Sequence, residues 1–227
     1  MTDALDVLDR GQVRLIDAMG SDLSVVRAAR VSTGSRPEDA SKGEERDAKL
    51  IRYLLKHEHG TPFEHNAFTF YVKAPVFVER QWLRHRIGSF NEISGRYTEY
   101  EPEFYVPARA RAQAKSNKQG SVPADDGQLD ELLDGAVRST VDHAFGRYQE
   151  LLERGVAREL ARIVLPLNLY TEWYWTVNAR SLMNFLGLRT QEDAQLEIRE
   201  YAHAVETIWS ERMPVTHAAW RATFGAD

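Results

Sequence analysis

Apolar and polar positions change period several times along this chain. The stretch QVRLIDAMG alternates Val13, Leu15 and Ile16 with polar neighbours and stops at Gly20, which predicts a short strand. Ser21 then serves as an N-cap, with Leu23, Val26 and Ala29 at helical spacing. TGSRPEDASKG is a loop. EERDAKLIRYLLKHEHG puts Leu50, Ile51, Leu54 and Leu55 on one helix face, and Gly60 ends it. After a turn at Pro62, AFTFYVKAPVFV is β-branched and aromatic and holds a strand that Pro75 ends. VFVERQWLRHRIG predicts a helix closing at Gly88. The segment from Ala108 to Gln128 is the most polar and least periodic, and reads as an exposed excursion.

From Leu129 the pattern is mainly helical. LDELLDGAVRSTVDHAFGRYQELLERG forms one helix, stopped by Gly155. ARELARIVLPLNLY forms a second, kinked or ended at Pro166. WTVNARSLMNFLG and DAQLEIREYAHAVETIWSERM complete the set. Early strands and late helices imply an α+β fold with a helix-rich C-terminal half. The 227 residues fit one domain, 1–227.

Composition narrows the chemistry. A net charge of -5 does not favour broad binding to nucleic acid or to an anionic membrane, so any anion site must be local. With no cysteine, disulfides, thiolate metal sites and cysteine nucleophiles are excluded. The opening MTDALDVLDRGQ lacks the pattern of a signal peptide, and the longest apolar stretch is broken by Pro166, Glu172 and Arg180. The cytoplasm is the expected location.

Against that acidic background, RHRIGSFNEISGRY concentrates arginine. Arg80 and Arg84 share a helix face, Arg86 and Arg96 lie close by, and Gly88 and Gly95 allow close approach to the backbone. Guanidinium forks match phosphate oxygens. The alternative is a solvated cationic face paired with Glu79, Glu92 and Glu99. Flanking Trp82, Leu83, Ile87 and Phe90 argue for partial burial, where arginine needs a partner. His57, His59 and His65 fit no recognised zinc pattern; they cap a helix end or touch a heteroaromatic ligand. Arg180 and Asn184 share a face beside Asn178, which suits an amphipathic helix or the edge of a flavin or uracil.

The same segment carries Arg-His-Arg, seven residues, then Ser94, and so resembles the signature of the flavin-dependent thymidylate synthases. SDLSVVRAARVS, TPFEH, RQWLRHR, ARIVLPLNLYTEWYWTVNARSLMNFLGLR and AQLEI resemble that family in the same order. The resemblance implies an α+β fold with a central antiparallel sheet and a homotetramer with active sites between subunits. It implies conversion of dUMP to dTMP, with 5,10-methylenetetrahydrofolate, FAD and NADPH. By it, Gln81, Trp82, Leu83, Arg84, Glu92, Ile93, Ser94, Gly95, Arg96, Arg162 and Arg189 contact dUMP. Thr61, Arg84, His85, Arg86, Glu92, Asn178, Ala179, Arg180 and Asn184 contact FAD, and Ser32 and His59 fall where flavin contacts also lie. No metal is expected, because the histidine spacing matches no zinc pattern.

Arg189 matches the residue that acts on the uracil. Arginine does not readily give up its proton, so its expected role is a cation stabilising negative charge on the ring. Ser94 is preferred as a hydrogen-bond donor over a nucleophile, because serine is weak without an adjacent base. Asp193 stands where some relatives carry histidine.

Overall fold

Chain order sets up the architecture seen in the computed structural model, which describes residues 2–115 and 117–225. Strands β1 (Ala4–Val7) and β2 (Gly11–Met19) form a hairpin, followed by helices α1 (Asp22–Val31) and α2 (Glu44–Lys56). A 3₁₀ turn, Thr61–His65, leads into β3 (Ala67–Pro75), which runs directly into α3 (Val76–Trp82). After β4 (Ser89–Glu92) comes a small hairpin of β5 (Arg111–Gln113) and β6 (Ser121–Pro123). Helices α4 (Gly127–Glu153) and α5 (Arg158–Ala161) precede β7 (Tyr170–Asn178). Then come α6 (Ala179–Arg189), α7 (Leu196–Arg212) and α8 (Pro214–Phe224).

The main sheet is antiparallel, in the order β1-β2-β3-β7-β4. Its spine is the β3–β7 pair, in register from Ala67↔Asn178 to Pro75↔Tyr170. One face is apolar through the cross-strand pairs Phe68–Val177, Phe70–Trp175 and Val72–Trp173, all buried. Against it pack Leu182, Phe185 and Leu186 of α6 and Tyr201, Val205 and Ile208 of α7. Each such side chain contributes roughly 1.5–3 kcal/mol of burial. Trp82 joins sheet to helices: it stacks on Phe185 at 4.7 Å and meets Trp173 and Trp175 edge-on. The opposite face stays polar and half-exposed, with Thr69 bonded to Thr176 at 2.9 Å and Tyr71 edge-on to Tyr174.

Three local expectations are corrected. Tyr170–Asn178 is a central strand rather than part of a mainly helical half. The expected helix 157–170 shrinks to α5 and a 3₁₀ turn, Arg162–Val164, because the chain must straighten to enter β7. The helix expected to reach Gly88 ends at Trp82, because the following residues turn to pair Ser89 with Thr176. The polar excursion also carries structure, the β5–β6 hairpin.

Candidate active site

Two helix ends build the site. Pro75 leaves β3 at φ -62 and starts α3, whose buried Trp82 fixes where that helix stops. Arg84, His85 and Arg86 therefore emerge from the last turn of α3 into the link to β4. Gly88 lies flat on the core: a Cβ there would stand 2.9 Å from Trp175 Nε1 and 3.0 Å from the Thr176 carbonyl. On the other side, Asn178 caps α6, its Oδ1 accepting the Ser181 amide at 2.8 Å. With Leu182, Phe185 and Leu186 turned inward, Arg180 and Asn184 occupy the outer face, and Arg189 ends the helix.

The two ends meet through Arg189. Its Nε donates to His85 Nε2 at 3.0 Å, and its Nη2 donates to the Gln81 carbonyl at 3.2 Å. Because His85 Nε2 accepts, the imidazole proton sits on Nδ1. Burial, and then the Arg189 charge, push the His85 pKa down to about 4, so the ring is neutral at pH 7. Burial also lowers the Arg189 pKa from its ordinary value, yet a guanidinium stays cationic.

A cleft of about 580 Å³ opens here, lined by Arg84, His85, Arg86, Arg180, Asn184 and Arg189 among others. A second hollow of about 490 Å³ shares Arg180, Asn184 and Leu188 with it and continues past His59 to Phe63 and Trp220. Gly60 lets Arg180 lie against the backbone; a Cβ would meet its Nε at 2.5 Å. Arg180 pairs with Glu64 at 2.5 Å. Among the described residues, Arg84 and Arg86 have no carboxylate partner. Unpaired guanidiniums at one end and apolar walls at the other suit an elongated ligand that is both anionic and aromatic.

The remaining expected residues fall into other places. Glu92 accepts from the Thr171 hydroxyl at 2.6 Å, and Ser94 Oγ accepts the Arg96 amide at 3.3 Å. Arg96 pairs with Glu159 at 3.2 Å, and Arg162 starts the 3₁₀ turn after α5. None of these lines the cleft, and neither do Thr61 or Ser32, whose hydroxyl bonds the Ala29 carbonyl. Leu83 and Ile93 are surface-exposed. Trp82 and Ala179 are buried core residues, and Gly95 is buried beneath Tyr100. His57 stacks with Tyr53 at 4.3 Å, and among the described residues no three acidic or histidine side chains gather as a metal site. Sequence reasoning missed a buried chain of Gln195, Glu197 and Tyr105 behind Gln81. Its only signal was AQLEI.

Residues 14–215 match the family model described as thymidylate synthase complementing protein. The chain belongs to that family. A flavin-dependent thymidylate synthase of Thermosipho africanus is 52% identical over 214 residues, covering 94% of this chain and 92% of the relative. Its namesake in Thermus thermophilus is 52% identical, covering 95% of this chain and 77% of the relative. The crystal structure of PolB, a UMP/dUMP methylase from Streptomyces cacaoi bound with 5-Br dUMP, superposes with a TM-score of 0.89 at 40% identity. That match covers 98% of this chain and 99% of PolB. In this family member, no helix among the described residues is long and apolar enough to cross a membrane.

Proposed function

We infer that the chain is a flavin-dependent thymidylate synthase, converting dUMP to dTMP. Its one-carbon donor is 5,10-methylenetetrahydrofolate, and its hydride comes from FAD reduced by NADPH. It works as one domain, 1–227, in a cytoplasmic homotetramer. The observation that carries this reading is the convergence of Arg84, His85, Arg86, Arg180, Asn184 and Arg189 on one cleft.

The cleft fits FAD by its chemistry. Arg84, Arg86 and Arg180 would hold its charged and ring portions, with Asn184 and His59 along its length. Bound there, FAD supplies the hydride. Arg84 and Arg86, with no carboxylate partner among the described residues, would supply positive charge to the group held there. Arg189 supplies a fixed cation at the uracil: His85 and the Gln81 carbonyl hold two of its nitrogens, leaving Nη1 for the substrate. His85, being neutral, orients Arg189 without repelling it. It is occupied by Arg189, so Ser94 is left without a base, which supports its role as a hydrogen-bond donor.

Glu92, Ser94, Arg96 and Arg162 lie outside this chain's cleft, which supports a nucleotide site completed by a second subunit. Exposed Leu160, Ile163 and Leu167 beside Arg162 supply an apolar surface for that contact.

The test is a visible absorption spectrum of the protein with FAD, titrated with dUMP. Flavin bands that shift saturably are expected; bands indifferent to dUMP overturn the reading. Arg189→Ala should then lower dTMP formation by roughly 10²–10³-fold while flavin content holds. Near-normal product from that variant removes Arg189 from the chemistry.

A further inference from the structure

Behind Arg189 runs a line of side chains that the reaction does not yet account for. Glu197 stands at the second position of α7 and is 1% exposed. Its Oε1 accepts from Arg111 Nη2 at 2.6 Å and from the Tyr105 hydroxyl at 3.1 Å. Its Oε2 accepts from Gln195 Nε2 at 2.8 Å. Gln195 Oε1 accepts in turn from Gln81 Nε2 at 2.6 Å. The Gln81 carbonyl then holds Arg189.

A buried carboxylate costs several kcal/mol unless it is paired and fully hydrogen-bonded. The pairing cation, Arg111, comes from the polar excursion, 86 residues earlier in the chain. Burial pushes the Glu197 carboxyl up, but the Arg111 contact and the bonds around it outweigh that, so its pKa lies below the usual range and it is ionised.

The direction of the line matters. An ionised carboxylate only accepts, whereas a glutamine amide accepts at one end and donates at the other. Glu197 therefore turns the Gln195 nitrogen toward itself and the Gln195 oxygen toward Gln81. That oxygen draws in the Gln81 nitrogen, so Gln81 Oε1 faces the other way. Among the described residues no group donates to Gln81 Oε1, and it is not sealed from solvent.

We propose that Glu197 is a positioning residue: acting through Gln195, it locks Gln81 with Oε1 outward as a fixed acceptor for a hydroxyl or N–H donor of bound dUMP. This rests on the reading that Gln81 contacts dUMP. Without the lock the amide presents either end, and part of the binding energy goes into ordering it.

The test is steady-state kinetics on the FAD-loaded protein. In Glu197→Gln the new amide can donate to Gln195, and the line is free to invert. The expected result is a rise of about tenfold in KM for dUMP, equivalent to ~1.4 kcal/mol, with kcat and flavin absorbance little changed. Gln81→Ala should raise the same KM, and adding Glu197→Gln to it should change nothing more. Additive effects would mean that Glu197 acts elsewhere, and the proposal falls. If Gln81→Ala raises KM but Glu197→Gln does not, the proposal falls and the Gln81 reading stands. If Gln81→Ala leaves KM unchanged, both fall. Should Glu197→Gln fold poorly, Gln195→Ala at a partly exposed position makes the same comparison. It too must raise KM alone and add nothing to Gln81→Ala.

Discussion

Glu79, on the buried side of α3, carries a charge problem at the residue scale. Burial, and then the nearby Glu92 charge, raise its pKa to about 7, with Arg80 opposing in part. An unfolded chain releases this proton near pH 4.5, so the folded state holds it over the interval from 4.5 to 7. Stability is thus lost as pH rises through that window, and the penalty is complete above 7. Glu79→Gln should raise the melting temperature by a few degrees at pH 8, with the gain shrinking toward pH 5. An equal gain at both pH values would contradict the assignment. Residue chemistry was partly legible in the sequence. Arg84, His85, Arg86 and Arg189, which line one cleft, were singled out by the density of the first three and by the family pattern. Glu197 did not, because an acid in the first turn of a helix ordinarily faces solvent and answers the helix dipole. Its burial depends on Arg111, which no local pattern connects to it.

At the scale of elements, α6 carries the site. Its N-cap is Asn178, and Arg180, Asn184 and Arg189 ride on it together. Asn178→Ala should cost about 1 kcal/mol and lower the melting temperature by roughly 2–4 °C. It should also weaken flavin binding, measured by fluorescence titration, because the first turn presents Arg180. Unchanged flavin affinity would separate the cap from the site. The helices α1 and α2 were legible from their apolar stripes and end signals. Strand β7 was not. Its buried Trp173, Trp175 and Val177 alternate with Glu172, Tyr174 and Thr176, but helical patterns before and after it, in ARELARIVL and in ARSLMNFLG, mask that alternation. β4, β5 and β6 are too short to show a period: Ser89–Glu92 is a strand because β7 lies beside it, and β5 and β6 pair only with each other.

At the scale of the molecule, two groups of the expected polar site residues stand apart. One lines the cleft between α3 and α6. The other lies outside it: Glu92 is bonded to Thr171 of β7 and Ser94 to the Arg96 amide, while Arg96 pairs with Glu159 of α5 and Arg162 starts the 3₁₀ turn after it. That turn also presents Ile163, 76% exposed, with Leu160 at 57% and Leu167 at 48%. If this apolar run joins two subunits, as proposed above, assembly and substrate binding are coupled, because the same contact would bring Arg162 to the neighbouring cleft. Placing a charge there should break both functions together. Ile163→Asp should shift the protein from tetramer to smaller species in size-exclusion chromatography with light scattering. A charge left unpaired in an apolar contact is costly, whereas at a solvent-exposed position it is nearly neutral. The melting temperature of the isolated subunit should therefore change little while dTMP formation collapses. Raising protein concentration should restore both assembly and activity, by mass action. A variant that stays small yet keeps full activity would mean that one chain completes its own site, and Arg162 would then need a different role.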